Sequence, residues 1–227
     1  MSLIVLGIGM VALTGCVSTK IVPIQQDRIA NLNGRTITVT TREKPSFGAM
    51  TAGKATFGLL GAAAMISAGN KLVEKNAIED PAGYIASELA GSFASANAMT
   101  VVPTEGVLAK STNPGELARQ YAGADILLDV QTVNWSFAYF PTDWNSYRVI
   151  YSAKARLIDT KTRKILAEGF CARVPDKTED APGYDELLDN QAARLKQELK
   201  TAADHCISEF RAKVLTSSGR PNAVTAQ

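Results

Sequence analysis

A chain of 227 residues with a formal charge of +2 and 46% apolar side chains has material for one ordinary domain with an appendage. That balance is too near neutral to argue for nucleic acid, and no basic block interrupts it. There is no glycine-rich phosphate loop, no G-x-S-x-G, no H-E-x-x-H and no C-x-x-C, and a single histidine, His205, excludes histidine-based metal clusters.

Residues 1–15 carry no charge and are dominated by Leu, Ile, Val, Gly, Ala and Met. A spanning helix needs roughly 20 apolar residues. The apolar region of a secretory signal needs about 7–15 and ends in small residues. The stretch Leu13-Thr14-Gly15-Cys16 resembles the lipobox of bacterial lipoproteins. That resemblance implies a signal peptide over 1–15, cleavage before Cys16, and acylation of its thiol with fatty chains such as palmitate. Val17 stands where that family carries an inner-membrane retention signal, typically Asp. The resemblance therefore also implies the outer membrane of a Gram-negative cell, with the folded part facing the periplasm. One departure is the lack of Lys or Arg before the apolar run, so the expected translation start lies upstream of Met1. A short anchor helix or a buried strand is the competing reading.

Residues 16–33 have little periodicity and read as a lipidated tether, leaving 34–215 as the domain. Residues 35–41, "RTITVTT", alternate and are β-branched, which predicts a strand. Residues 47–70 are rich in Gly and Ala, and Gly53, Gly58, Gly61 and Gly69 interrupt an otherwise helical pattern at a cost of about 1 kcal/mol each relative to Ala. Three readings stay open for this segment: a packed helical hairpin, a membrane or oligomer contact, and a poorly ordered insertion. Asp80-Pro81 predicts a capped helix start, and Ile85, Leu89 and Phe93 then share one stripe. A short strand over 99–102 and a small helix over 114–121 follow.

From Asp125 a long strand is expected. Ile126, Leu128 and Val130 share one face, whereas Val133, Trp135 and Phe137 fall on the other, and that change of parity predicts a bulge near Thr132. After a loop at Pro141, a second strand should turn Tyr147, Val149, Tyr151, Ala153, Ala155 and Leu157 inward and Arg148, Lys154 and Arg156 outward. "DTKTRK" is a hairpin turn, and 165–174 returns as a third strand. The carboxylate pairs Glu179-Asp180 and Asp185-Glu186 fall in a polar loop and at a helix start, where negative charge favours the helix dipole. A long helix over 184–215 carries Leu188, Ala192, Leu195, Leu199, Ala202, Cys206, Phe210 and Val214 at helical spacing. Residues 216–227 read as a disordered tail.

If Cys16 carries lipid, Cys171 and Cys206 form an even remainder, and in an oxidising compartment they are expected to pair. Metal binding is the rival, but two thiolates and His205 make a poor zinc set. His205 and Cys206 are also adjacent, so their side chains diverge on a helix. No metal and no cofactor is expected.

The order of elements around Gly123-Ala124-Asp125, Leu157-Ile158-Asp159 and Ala167-Glu168-Gly169 resembles the periplasmic lipoprotein fold shared by the curli-secretion lipoprotein CsgG and the penicillin-binding-protein activator LpoB. The match covers roughly residues 81–174. Together with the elements above, it predicts an α+β fold: a small, mostly antiparallel sheet flanked by helices, with a long C-terminal helix and one disulfide. The Gly/Ala-rich segment, the short tether and the cysteine pair are departures from LpoB. The resemblance also implies a non-enzymatic protein that binds envelope partners or builds secretion assemblies.

Six aromatic side chains crowd "NWSFAYFPTDWNSY". Aromatic residues in long strands are ordinarily core, but Tyr139, Phe140 and Trp144 flank the loop, where burial is harder. Tyr and Trp are favoured interface anchors, so these three are the candidate partner-binding residues. The expected function is recruitment or assembly of another envelope component, with the membrane held through N-terminal acyl chains. The competing function is a homo-oligomeric secretion or pore subunit using segment 47–70.

Overall fold

The computed structural model describes residues 21–55, 58–104, 106 and 108–216. Cys16, the rest of the lipobox, and the tail from residue 217 lie outside the described residues.

The core is organised by two unusually long strands. The strands β4 (Ile126–Phe140), β5 (Asp143–Asp159) and β6 (Lys164–Arg173) form an antiparallel meander. On the other side of β4 lies β1 (Thr36–Val39), parallel to it, with β3 (Thr100–Val101) beyond. Farther along β4, β2 (Gly48–Met50) pairs in parallel with Ser136–Ala138, completing a six-stranded sheet. The fold is α+β, as expected, and the long ladders are antiparallel. The short parallel pairings make the sheet mixed.

The bulge falls where the change of parity put it, with the register of β4 against β5 shifting between Thr132 and Asn134. Its effect is different from the expectation. Val133 becomes an exposed extra residue, while Trp135 and Phe137 return to the core face already used by Ile126, Leu128 and Val130. The bulge thus keeps one face apolar along the whole strand.

Helices cover that face. α4 (Pro81–Ala96) starts at Asp80, whose side chain accepts the Ala82 N–H, and Pro81 supplies the first turn. Ile85, Leu89 and Phe93 are buried along its stripe. Beside it runs α6 (Tyr184–Phe210), continued by a π-helical turn Arg211–Leu215. The helix is not straight throughout: Asn190, Gln191 and Ala192 have positive φ values and break it after its first turns. Cys206, on the buried stripe of α6, is disulfide-bonded to Cys171 of β6 across a Cα–Cα distance of 5.4 Å. Gly169 lets the C-terminal end of this helical segment approach β6 closely, since a Cβ there would meet Val214 Cγ2 at 2.3 Å.

The second face of the sheet is covered only in part. α5 (Pro114–Gln120), capped by Asn113, brings Leu117 and Ala118 against Leu127 and Ile158. Under this cover Arg156 is buried and does not face solvent, contrary to the alternation of β5. It is held there by Asp129, whose carboxylate also binds Arg42.

Residues 21–32 differ from a loose tether. Val22 exchanges backbone hydrogen bonds with Glu168 on the edge of β6, and the Ile24 N–H donates to the Val214 carbonyl at 2.9 Å. A short helix α1 (Gln26–Ala30) follows. Ile24 and Leu32 join the main core, and burial of these two apolar side chains explains the docking.

Candidate functional site

The aromatic stretch divides into an inner and an outer set. Phe47 meets Trp135 edge-on at 5.1 Å, and Phe137 contacts Phe47, Tyr147 and Tyr184 at 5.9, 5.8 and 6.0 Å. Such pairs favour the core. The Trp135 indole N–H donates to the Pro45 and Ser46 carbonyls. Trp135, Phe137 and Tyr147 are therefore structural.

The outer set is at the turn between β4 and β5. Trp144 is 64% exposed and its ring lies 6.3 Å from that of half-buried Tyr139. Phe140 does not share this exposure. It is 4% exposed and the Arg148 guanidinium covers its ring at 5.2 Å. Of the three candidates, Trp144 and Tyr139 are thus accessible side by side, and Phe140 is buried.

The turn is held by charge. Asp143 accepts from the Asn145 N–H, the Ser146 hydroxyl and the Lys177 ammonium at 3.1, 2.8 and 2.8 Å. The Lys177 and Ser146 hydrogen bonds pull its carboxyl down to about 2. The loop before α6 closes the flank, where the Tyr147 N–H donates to the Pro182 carbonyl at 2.8 Å and Arg148 to the Pro175 carbonyl at 3.3 Å. The result is a large apolar ring presented on a braced hairpin.

A second exposed apolar surface comes from the Gly/Ala-rich segment. After β2 the chain forms α2 (Ala52–Ala55) and α3 (Gly58–Lys75). Gly69 lies against the Phe47 carbonyl, where a Cβ would come within 2.0 Å of the oxygen, so the end of α3 is seated on the β2 entry. Its beginning is bare: Leu59 is 92% and Leu60 79% exposed. Among the described residues no helix is long and apolar enough to cross a membrane.

The polar clusters have structural work to do. Asp80 caps α4 and accepts from the Thr132 hydroxyl, which in turn shares a hydrogen bond of 2.9 Å with Tyr151. Burial raises the Asp80 carboxyl and the Tyr151 hydroxyl above their ordinary ranges. Asp125 of the Gly-Ala-Asp motif accepts from the backbone N–H and hydroxyl of Thr36, and the backbone bond lowers its carboxyl. Asp159 accepts from Arg35 at 2.8 Å and from Thr162 in the hairpin turn. Burial alone would raise the Asp159 carboxyl, but those hydrogen bonds outweigh it and leave it lowered. The motif aspartates thus fasten β1 to the β4 start and to the β5–β6 turn.

Among the described residues one group offers three metal-ligand atoms in mutual reach. Donor atoms of Cys171, His205 and Glu209 lie within 4.8 Å of one another. The sequence reading considered His205 with the cysteines but overlooked Glu209. The missing signal was spacing, since His205 and Glu209 stand four residues apart on one helix face.

No protein-family model matches the chain, and no curated protein matches it. Solved structures similar to it include bacterial lipoproteins. Lipoprotein GNA1162 from Neisseria meningitidis is 18% identical, with 77% of this chain and 99% of that one covered and a TM-score of 0.34. The PelC dodecamer from Paraburkholderia phytofirmans is 12% identical over 82% and 93%, with a TM-score of 0.34. The LpoB C-terminal domain from Escherichia coli is 14% identical over 67% and 96%, with a TM-score of 0.24. Likenesses at this level are too distant to transfer a role.

Proposed function

We propose that this chain is an outer-membrane lipoprotein, anchored through acyl chains on Cys16 and facing the periplasm, that recruits or assembles another envelope protein without catalysing a reaction. The observation that carries the reading is Trp144, a large apolar ring 64% exposed beside Tyr139 at the end of a braced hairpin. Leaving such a ring in water forgoes about 1.5–3 kcal/mol of burial, and aromatic anchors of this kind dominate protein interfaces. The docked segment 21–32 supports a body held close to its membrane. Only residues 17–20 would separate the lipid from Ile21, a reach of about 17 Å for a fully extended link.

The test is a photocrosslinking residue at position 144 in intact cells. A discrete adduct with one envelope protein is expected, and Trp144→Ala should abolish co-purification of that protein while leaving folding intact. Capture unchanged by Trp144→Ala would defeat the proposal.

Exposed Leu59 and Leu60 favour a second reading, a homo-oligomer in which α3 packs between subunits. Native mass measurement in detergent distinguishes the two, because a ring requires an integral multiple of the chain mass.

A further inference from the structure

We infer that the disulfide-bonded end of α6 is a latent divalent-metal site, formed by Cys171, His205 and Glu209 once the disulfide is reduced. Three donors of mixed type converge there. Cys171 is fixed on β6 by its pairing with Ala153 of β5. His205 and Glu209 project from successive turns of α6, and their donor atoms already lie within 4.8 Å of each other and of the Cys171 sulfur. The Cys206 sulfur is bonded to the Cys171 sulfur, and the two Cα atoms are 5.4 Å apart.

Around a tetrahedral zinc ion with metal–ligand distances of about 2.0–2.3 Å, donor atoms stand roughly 3.5 Å apart. The trio must therefore close by only about 1 Å, which side-chain rotation supplies. A thiolate, an imidazole and a carboxylate make a three-residue ligand set suited to zinc, with water in the fourth tetrahedral position. The cysteines are buried, whereas His205 is exposed and Glu209 half-buried, so the ion has an entry path from solvent. Entry displaces Lys213, which holds a Glu209 oxygen in an exposed ion pair of small worth.

The oxidised protein lacks this capacity because its sulfurs are spent on each other. A dithiol reductant transfers two electrons and two protons to the Cys171–Cys206 bond, becoming a disulfide itself and leaving two thiols. Metal binding then displaces the Cys171 thiol proton to solvent. A covalent link between β6 and α6 is thereby exchanged for a coordinate one at the same place.

The experiment uses the full chain in detergent and Co²⁺ alone as probe, with circular dichroism recorded in parallel. Oxidised protein should show no thiolate-to-cobalt charge-transfer absorption. After reduction with a phosphine, one Co²⁺ per chain should produce that absorption with tetrahedral visible bands, and Zn²⁺ should displace it. A direct ligand should cost no less than the roughly 10–100-fold typical of outer-shell partners. His205→Ala and Glu209→Gln should therefore each weaken cobalt binding at least about tenfold. If reduction loosens the fold, Co²⁺ should restore the oxidised spectrum in the parent and not in His205→Ala. Absence of the thiolate band, or binding indifferent to both substitutions, overturns the inference.

Discussion

Replacing Asp129 by Asn tests the electrostatic logic of the sheet's covered face. The Asp129 side chain is 1% exposed. One oxygen accepts from Arg156 Nε and Nη2 at 3.1 and 2.6 Å. The other accepts from Arg42 Nε and Nη2 at 2.9 and 2.7 Å and from the Thr40 hydroxyl at 3.0 Å. Asn keeps the shape, removes the charge, and turns an amide donor toward a guanidinium that is itself only a donor. Removing one partner of a buried ion pair costs about 3–5 kcal/mol. The lower end is expected, because Arg42 and Arg156 keep hydrogen bonds to the Ser111 and Thr112 carbonyls. With a urea m-value of about 1–3 kcal/mol/M, a loss of about 3 kcal/mol moves the unfolding midpoint down by roughly 1–3 M with m unchanged. A loss under about 1 kcal/mol is what solvated surface pairs give and would refute the assignment of these charges to a dry interior.

Three other perturbations probe separate features. Gly169→Ala forces a methyl to within 2.3 Å of Val214 Cγ2 and should destabilise by about 1–3 kcal/mol; a neutral thermal melt would mean that the end of the α6 segment is not seated on β6. The Asp143 carboxyl, held down to about 2 chiefly by Lys177 and Ser146, should titrate there in a carbon-detected NMR series. Its bracing of the turn is then complete above the ordinary carboxylate value near 3.8 and is lost only as pH falls through about 2. Titration at the ordinary value instead would contradict the bracing. Asp80 behaves oppositely, since burial raises its folded value above 3.8. Its linked stability is present below that ordinary value and is lost as pH rises through the folded one. Asp80→Asn should keep the cap and flatten this decline in unfolding free energy as pH rises above the ordinary carboxylate value near 3.8; an unchanged slope would assign the decline elsewhere.

Local chemistry made much of the fold readable. Asp80-Pro81 starts a helix where its capping chemistry says it should, and the change of parity in β4 marks its bulge. The pairing of Cys171 with Cys206 is expected once the lipobox resemblance sets Cys16 aside and implies an oxidising compartment. What escaped is set by tertiary cover. Nothing in the alternation of β5 distinguishes Arg156 from Lys154, because only the arrival of α5 and Asp129 makes one of them buried. Short parallel partners such as β2, three residues long, have no period to detect. At the candidate site, the clustering of aromatic residues marked the hairpin between β4 and β5 in the sequence. Which ring is free depended on Arg148, two strand positions from Ser146, folding over Phe140 and leaving Trp144 bare. The metal-donor trio required β6 and α6 to meet.

Lipidation of Cys16 is the premise of the proposed function, and metabolic labelling with radioactive palmitate tests it directly. The parent protein should take up label and fractionate with the outer membrane, whereas Cys16→Ser should take up none and leave that fraction. Equal labelling and identical fractionation of the two would contradict the account.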